Sequence, residues 1–333
     1  MITTVLRRLA IVPLQALGIV TIVFFLSRLM PGDPAYALAG SQATDEQVAA
    51  IRAELGLDQP IWTQYGEFLA NAVRGDFGTS TQTGNTVTAD LMQRAPSTFA
   101  LILISLVVIT VLTVLLLGWF LARPRGVARR AIGGYGFLAG AVPDFWIGLA
   151  LISLLYAKLG LGAAPSGQLD ARMFVPDVTG VAIVDAMLSG DGAAISDALA
   201  HLLLPVLTLT IVYTAAVVRV MQVVSTQTLQ SDFMRFADSW GIRSWRRVAY
   251  VLHHGAPTMI TALASTVVFL LGGAVLVETV FSWGGLGQYG VAAVTQSDYA
   301  AVQGFVIVAG VFTAVVYALG DVLHTVFDPK LRD

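Results

Sequence analysis

An all-α bundle of six membrane-crossing helices is the fold this sequence predicts. Only 12 % of its 333 residues are charged and 56 % are hydrophobic, whereas a soluble domain carries roughly 25 % charged residues. Six apolar runs cover residues 9–26, 99–121, 132–159, 202–224, 260–281 and 303–326. About 20 residues at 1.5 Å rise cross a hydrocarbon core of roughly 30 Å, so each run can form one span. Most of the 19 Lys and Arg lie in four segments: the N-terminus, the second-to-third connection, the fourth-to-fifth connection and the tail. The positive-inside rule places all four in the cytoplasm, and with six spans both termini are then inside.

The first run follows Arg7 and Arg8 and contains Pro13 and Gly18, which permit a kink. No A-x-A-like cleavage site follows it. Arg28-Leu29-Met30-Pro31-Gly32-Asp33-Pro34 does, and its prolines and glycine end a helix, so the run reads as a retained span rather than a signal peptide.

Residues 31–98 form a large insertion on the outer side. Thr44-Asp45-Glu46-Gln47 has the spacing of a capping box, followed on one face by Val48, Ile51 and Leu55 before Gly56. Pro60 can open a second helix, with Trp62, Tyr65, Leu69 and Ala72 along one side. Gly75-Asp76-Phe77-Gly78 reads as a turn. So many aromatics favour a small helical cap packed on the bundle over a loose loop.

Arg123, Arg125, Arg129 and Arg130 mark the inner connection that leads to the third run. Within that run Asp144 sits between Pro143 and Phe145-Trp146. Its carboxylate can pair with backbone groups freed by the proline or line a path. The outer loop over residues 160–200 is acidic, with Asp170, Asp177, Asp185, Asp191 and Asp197. A solvated surface and a contact for an external delivery protein or cationic ligand both fit that charge.

The most informative stretch lies inside the inner connection over residues 225–256. Residues 231–241 read Ser-Asp-Phe-Met-Arg-Phe-Ala-Asp-Ser-Trp-Gly. Ser231 or Asp232 can cap a helix there, and Phe233, Phe236, Ala237 and Trp240 fall at i, i+3, i+4 and i+7 on one face. Arg235, Asp238 and Ser239 lie off that face, and Gly241 can adopt the left-handed conformation that ends the helix. An aromatic-faced helix turned toward the cytoplasm offers itself to a partner.

Gly285-Leu286-Gly287-Gln288-Tyr289-Gly290 formally matches a dinucleotide fingerprint, but no strand precedes it. Close backbone approach in a tight re-entrant turn explains those glycines better. Cysteine is absent, which excludes disulfides and thiolate metal sites. His201 and the adjacent His253 and His254 do not converge on one ion. The two lysines, Lys158 and Lys330, lie outside any phosphate-binding loop, so the chain has no such nucleotide site of its own. No basic stripe marks a nucleic-acid binder. Ionisable residues within the spans are few: Asp144, Glu278 near the end of the fifth, Asp321 with His324 in the sixth, and Arg219 near the inner end of the fourth. Capping or snorkelling suffices for Glu278 and Asp321, and no proton-relay ladder forms.

Several motifs together resemble the permease subunits of bacterial ABC importers, in the dipeptide/oligopeptide and nickel group. The 231–241 stretch is similar to that family's cytoplasmic "EAA" loop, and residues 28–34 resemble its R-L-x-P-G-D-P. Leu55-Gly56-Leu57-Asp58-Gln59-Pro60, Gln64-Tyr65 and the 75–78 turn look like its outer-cap signatures. The 272–283 segment with Gly285-Leu286-Gly287, then Asp298-Tyr299, Val302-Gln303-Gly304 and Asp328-Pro329-Lys330, complete the order. The resemblance covers essentially all of residues 1–333 as one transmembrane domain.

The resemblance implies the type I ABC importer transmembrane fold and a B-type dipeptide permease. Its partners would be a homologous second permease, two cytoplasmic ATPase subunits, an external substrate-binding lipoprotein or periplasmic protein, and the bilayer. ATP and Mg would sit on the ATPases and no cofactor on this chain. Asp232, Phe233, Arg235, Phe236, Ala237, Trp240 and Gly241 would couple to the ATPases, while Asp144, Glu278 and Asp321 are candidates for a pathway or gate. The implied substrate is a short peptide; nickel chelates and glutathione remain open. A gradient-driven secondary transporter is the rival class, although the hydropathy shows no internal two-fold symmetry. A non-transporting membrane scaffold is the other.

Overall fold

Apolar periodicity becomes long helices here because a buried backbone without water must satisfy its own hydrogen bonds. The computed structural model describes residues 2–29, 34–40, 43–122 and 127–327. Met30 to Asp33, Arg123, Arg125 and the 328–330 motif lie outside them, as do the side chains of Arg7, Arg8, Arg129 and His324. The described residues contain no strand, only an isolated bridge between Thr79 and Thr86.

Helix α1 (Ile2–Ser27) is followed by three short helices, α2 (Pro34–Ala39), α3 (Asp45–Glu54) and α4 (Ile61–Arg74). The capping box at α3 is complete: Gln47 N–H donates to Thr44 Oγ1, and Thr44 N–H donates to Gln47 Oε1 at 2.9 Å. Helix α4 lies against α1, with the Tyr65 hydroxyl 2.8 Å from Thr21 Oγ1 and Tyr65 edge-on to Phe24. Helix α5 (Val87–Ala122) begins well inside the segment expected to belong to the insertion, so the second span projects beyond the apolar run.

The third run departs from expectation. It is not one helix but α6 (Val127–Leu138), a 3-10 turn at Ala139–Ala141, α7 (Asp144–Leu151) and a π-helical stretch at Ile152–Lys158. Pro143 lacks an N–H and disfavours helical geometry at the residue before it, which breaks the ladder there. Among the described residues five helices are long and apolar enough to cross a membrane by themselves, and this third crossing is discontinuous.

After α8 (Ala182–Ser189) comes α9 (Gly192–Gln230), then α10 (Asp232–Ser239) and α11 (Ser244–Phe281). Both long helices outrun their apolar runs, so most of the expected 225–256 loop is helical. Helices α12 (Leu286–Thr295) and α13 (Tyr299–Phe327) complete the chain. Helices α5, α9 and α11 form the centre around Leu101, Ile109, Leu209 and Leu270, all fully buried. Helix α13 joins α11 to α1. The start of α5, α4 and α12 gather at one end, and α10 at the other.

Candidate functional site

Helix α10 is held by the one side chain that sequence periodicity placed on no face of interest. Met234 is fully buried in a cluster with Phe120 and Leu121 of α5, Ile132 of α6, Val218 of α9 and Val251 of α11. The aromatic face points the other way: Phe233, Phe236 and Trp240 are 45, 66 and 77 % exposed. Ala237 is half-buried between the two. The helix therefore grips four spans through a thioether and leaves its rings largely exposed, Phe233 beside the His254 ring at 5.7 Å and Phe236 beside Trp240 at 6.1 Å.

Its ends differ from expectation in one respect. Ser231 occupies the cap position, but its hydroxyl donates back to the Thr228 carbonyl at 2.6 Å, so neither Ser231 nor Asp232 makes a side-chain cap. Asp232 instead pairs loosely with Arg235 across one turn, at 3.8 Å in full solvent. Gly241 is left-handed, with φ at 71°, and reverses the chain into α11. Arg247 of α11 donates from Nη2 to Asp238 Oδ1 at 2.7 Å and from Nε at 3.2 Å, tying the elbow shut.

At the break in the third span, Asp144 begins α7 half-buried. The Tyr213 hydroxyl of α9 lies 3.1 Å from Asp144 Oδ2 and 3.0 Å from the Phe269 carbonyl of α11. One phenolic proton thus serves two acceptors on two other helices. Phe145, Trp146 and Leu149 on α7 and Phe269 on α11 remain exposed around this polar point. Sequence reasoning found Asp144 and missed Tyr213, because the pair is 69 residues apart.

Glu278 is 0 % exposed. Its carboxylate accepts the N–H groups of Gly287 at 2.7 Å and Gln288 at 3.1 Å, and the Thr98 hydroxyl at 2.5 Å. Thr98 Oγ1 in turn accepts the Leu286 N–H. Residues of α5 and α11 together cap the first turn of α12, the place where orphan N–H groups favour negative charge. The close approach is possible because residue 287 is glycine: a Cβ there would stand 2.5 Å from Val275 Cα. Asp298 does the same for α13, accepting the Ala301 N–H while Ser80 donates to its other oxygen at 2.6 Å. Asp321 lies exposed on α13.

The acidic outer loop is organised by its own aspartates. Asp197 accepts from the Asp170 N–H and lies 3.2 Å from His201 Nδ1, Asp185 accepts twice from Thr179, and Asp191 caps α9 at Ala193. His201 is accounted for by that contact, and no group of three metal-ligating side chains occurs among the described residues.

A broken third span, long apolar helices and a short elbow with exposed rings define a multi-pass membrane component. The comparisons agree. Residues 114–333 match the family described as binding-protein-dependent transport system inner membrane component, and residues 1–102 match the N-terminal part of the same membrane components. The chain belongs to that family, the permease subunits of ABC importers with the type I transmembrane fold, and is a multi-pass inner-membrane protein. It is 36 % identical over 324 residues to a probable D,D-dipeptide transport system permease protein, DdpB, of Escherichia coli K12, covering 94 % of this chain and 93 % of that one. It is 30 % identical to the E. coli K12 dipeptide transport system permease DppB, with 100 % and 99 % covered. A di/tripeptide transport system permease of Pseudomonas aeruginosa UCBPP-PA14 is 31 % identical over the same shares.

Proposed function

We infer that this chain forms half of the translocation path of an ATP-driven importer of short peptides, and that it takes its energy through α10. The observation that carries this reading is the opposed exposure of Met234 and the rings beside it. Phe233, Phe236 and Trp240 would seat in a groove of a cytoplasmic ATPase subunit, each gaining about 1.5–3 kcal/mol on full burial. Met234 and the Arg247–Asp238 pair make α10 move with α5, α6, α9 and α11 rather than swing freely. Closure of two ATPases around ATP and Mg would then rock two bundles as rigid bodies, and hydrolysis would reset them.

The second bundle is a homologous permease, docked on the face where Phe145, Trp146 and Phe269 surround Asp144. An external binding protein delivers substrate at the opposite end, with both termini of this chain in the cytoplasm. Peptides are favoured as substrate over nickel chelates and glutathione by the relatives, which are named for D,D-dipeptide, dipeptide and di/tripeptide transport. The test is reconstitution with two ATPase subunits and a second permease. Dipeptide accumulation in vesicles should require ATP and all subunits; accumulation driven by an ion gradient, with this chain alone, sinks the reading.

A further inference from the structure

A second polar feature lies far from α10, in a cavity of about 630 Å³ between the end of α1, the start of α13 and the small helices α3 and α4. That volume is in the range of small-molecule sites, about 300–1,000 Å³. Its charge is divided. Arg28 enters from the turn after α1, its guanidinium 4.9 Å above the Phe24 ring, while Glu54 of α3 and Glu67 of α4 enter from the cap. Among the described residues none of these three has an opposite charge within 4.0 Å. Gln64 also lines the cavity. Its Nε2 donates to the carbonyls of Leu57 at 3.0 Å and Gln59 at 2.7 Å, which fixes the orientation of the amide. Its Oε1 is buried, out of reach of solvent, and accepts from no donor. Phe68 and Phe77 supply apolar wall.

We propose that this cavity is a binding site on the permease itself for a short zwitterionic peptide, held with its carboxylate toward Arg28 and its ammonium toward Glu54 and Glu67. An extended chain advances about 3.3–3.6 Å per residue, so two or three residues suit such a cavity. The site rests on the peptide-importer reading and is distinct from the Asp144 face, to which none of its residues belongs.

The experiment uses the assembled transporter, purified in nanodiscs without its external binding protein, and measures dialanine binding calorimetrically. Saturable binding is expected, at least tenfold weaker for N-acetyl-dialanine and for dialanine amide. Arg28→Gln should weaken dialanine at least tenfold and leave the amide unchanged. Glu67→Gln should weaken dialanine and leave the N-acetyl form unchanged. Absence of saturable binding, equal binding of the blocked peptides, or equal weakening of all three ligands by Arg28→Gln overturns the proposal. So does phosphatidylethanolamine retained by the wild type and lost from Arg28→Gln in native mass spectra, since a lipid headgroup would then be the occupant. ATP-driven dipeptide uptake measured on the same preparation separates the two ideas: uptake without direct binding refutes the site and leaves the importer reading standing.

Discussion

The Glu278 carboxylate of α11 receives the Gly287 N–H at 2.7 Å, and through that bond one membrane helix fixes where the next begins. Thr98 of α5 closes the same cap at the Leu286 N–H, so three elements meet at one buried charge.

Removing that charge should loosen α12. Glu278→Ala leaves the buried Gly287 N–H, the part-buried Gln288 N–H and the Thr98 hydroxyl without their acceptor, at a cost of about 1–3 kcal/mol for each buried group left unsatisfied. A lowered melting temperature of the purified protein is the expected outcome. An unchanged or raised value would mean that burial of the carboxylate, not its hydrogen bonding, dominates.

Gly287→Ala tests the same junction sterically. The added methyl would meet the Val275 backbone first and Glu278 Oε2 next, and overpacking of this kind costs about 1–3 kcal/mol. Expression level and thermal unfolding should both fall. Wild-type behaviour would show that α12 can shift away from α11 without penalty.

The two sides of α10 should separate stability from coupling. Met234→Ala empties a fully buried site and should destabilise by about 2–5 kcal/mol. Phe236→Ala and Trp240→Ala, both at exposed positions, should leave unfolding nearly unchanged and reduce substrate uptake and ATPase binding. Destabilisation by the aromatic variants as large as that by Met234→Ala contradicts the assignment of faces.

Gly241→Val should uncouple ATP hydrolysis from uptake. No neighbour lies within 4 Å of a Cβ there, so the strain comes from φ alone, about 1–2 kcal/mol for a residue with a Cβ. Gly241→Asn, which tolerates the left-handed region, serves as the matched control. Full coupling in the valine variant would remove the helix stop from the mechanism.

Tyr289 offers a pH signature outside the spans. Burial first, and then the nearby Asp90 and Asp298 carboxylates, push its hydroxyl up to about 12. The folded pKa lies above the ordinary value near 10, so its share of stability is whole below pH 10 and lost as pH rises toward 12. Unfolding followed from pH 9 to 12 should steepen in wild type and flatten in Tyr289→Phe. Identical slopes would show that Tyr289 ionises as if exposed.

Much of this was legible along the chain because it depends on neighbours three or four residues away. The α3 capping box, the aromatic spacing of α10 and the reversal at Gly241 follow from helical geometry and local side-chain chemistry. Pro143 announced a disturbance in the third span, though not its resolution into α6, α7 and a π-helical stretch. The helix ends were less legible: α5, α9 and α11 continue beyond their apolar runs because polar turns at the bundle ends are paired by other elements.

What the sequence determined by itself is the class: apolar runs of membrane length, charge segregated by connection, and an elbow that ends at a glycine. What only the tertiary structure decided is which side of each element is spent internally. Met234 is buried and Phe236 is exposed, although an apolar scale ranks both alike. Tyr213 finds Asp144, and Thr98 finds Glu278 across 180 residues. Such pairings are set by how helices pack around one another, and no periodicity within a single helix encodes where a distant helix will lie.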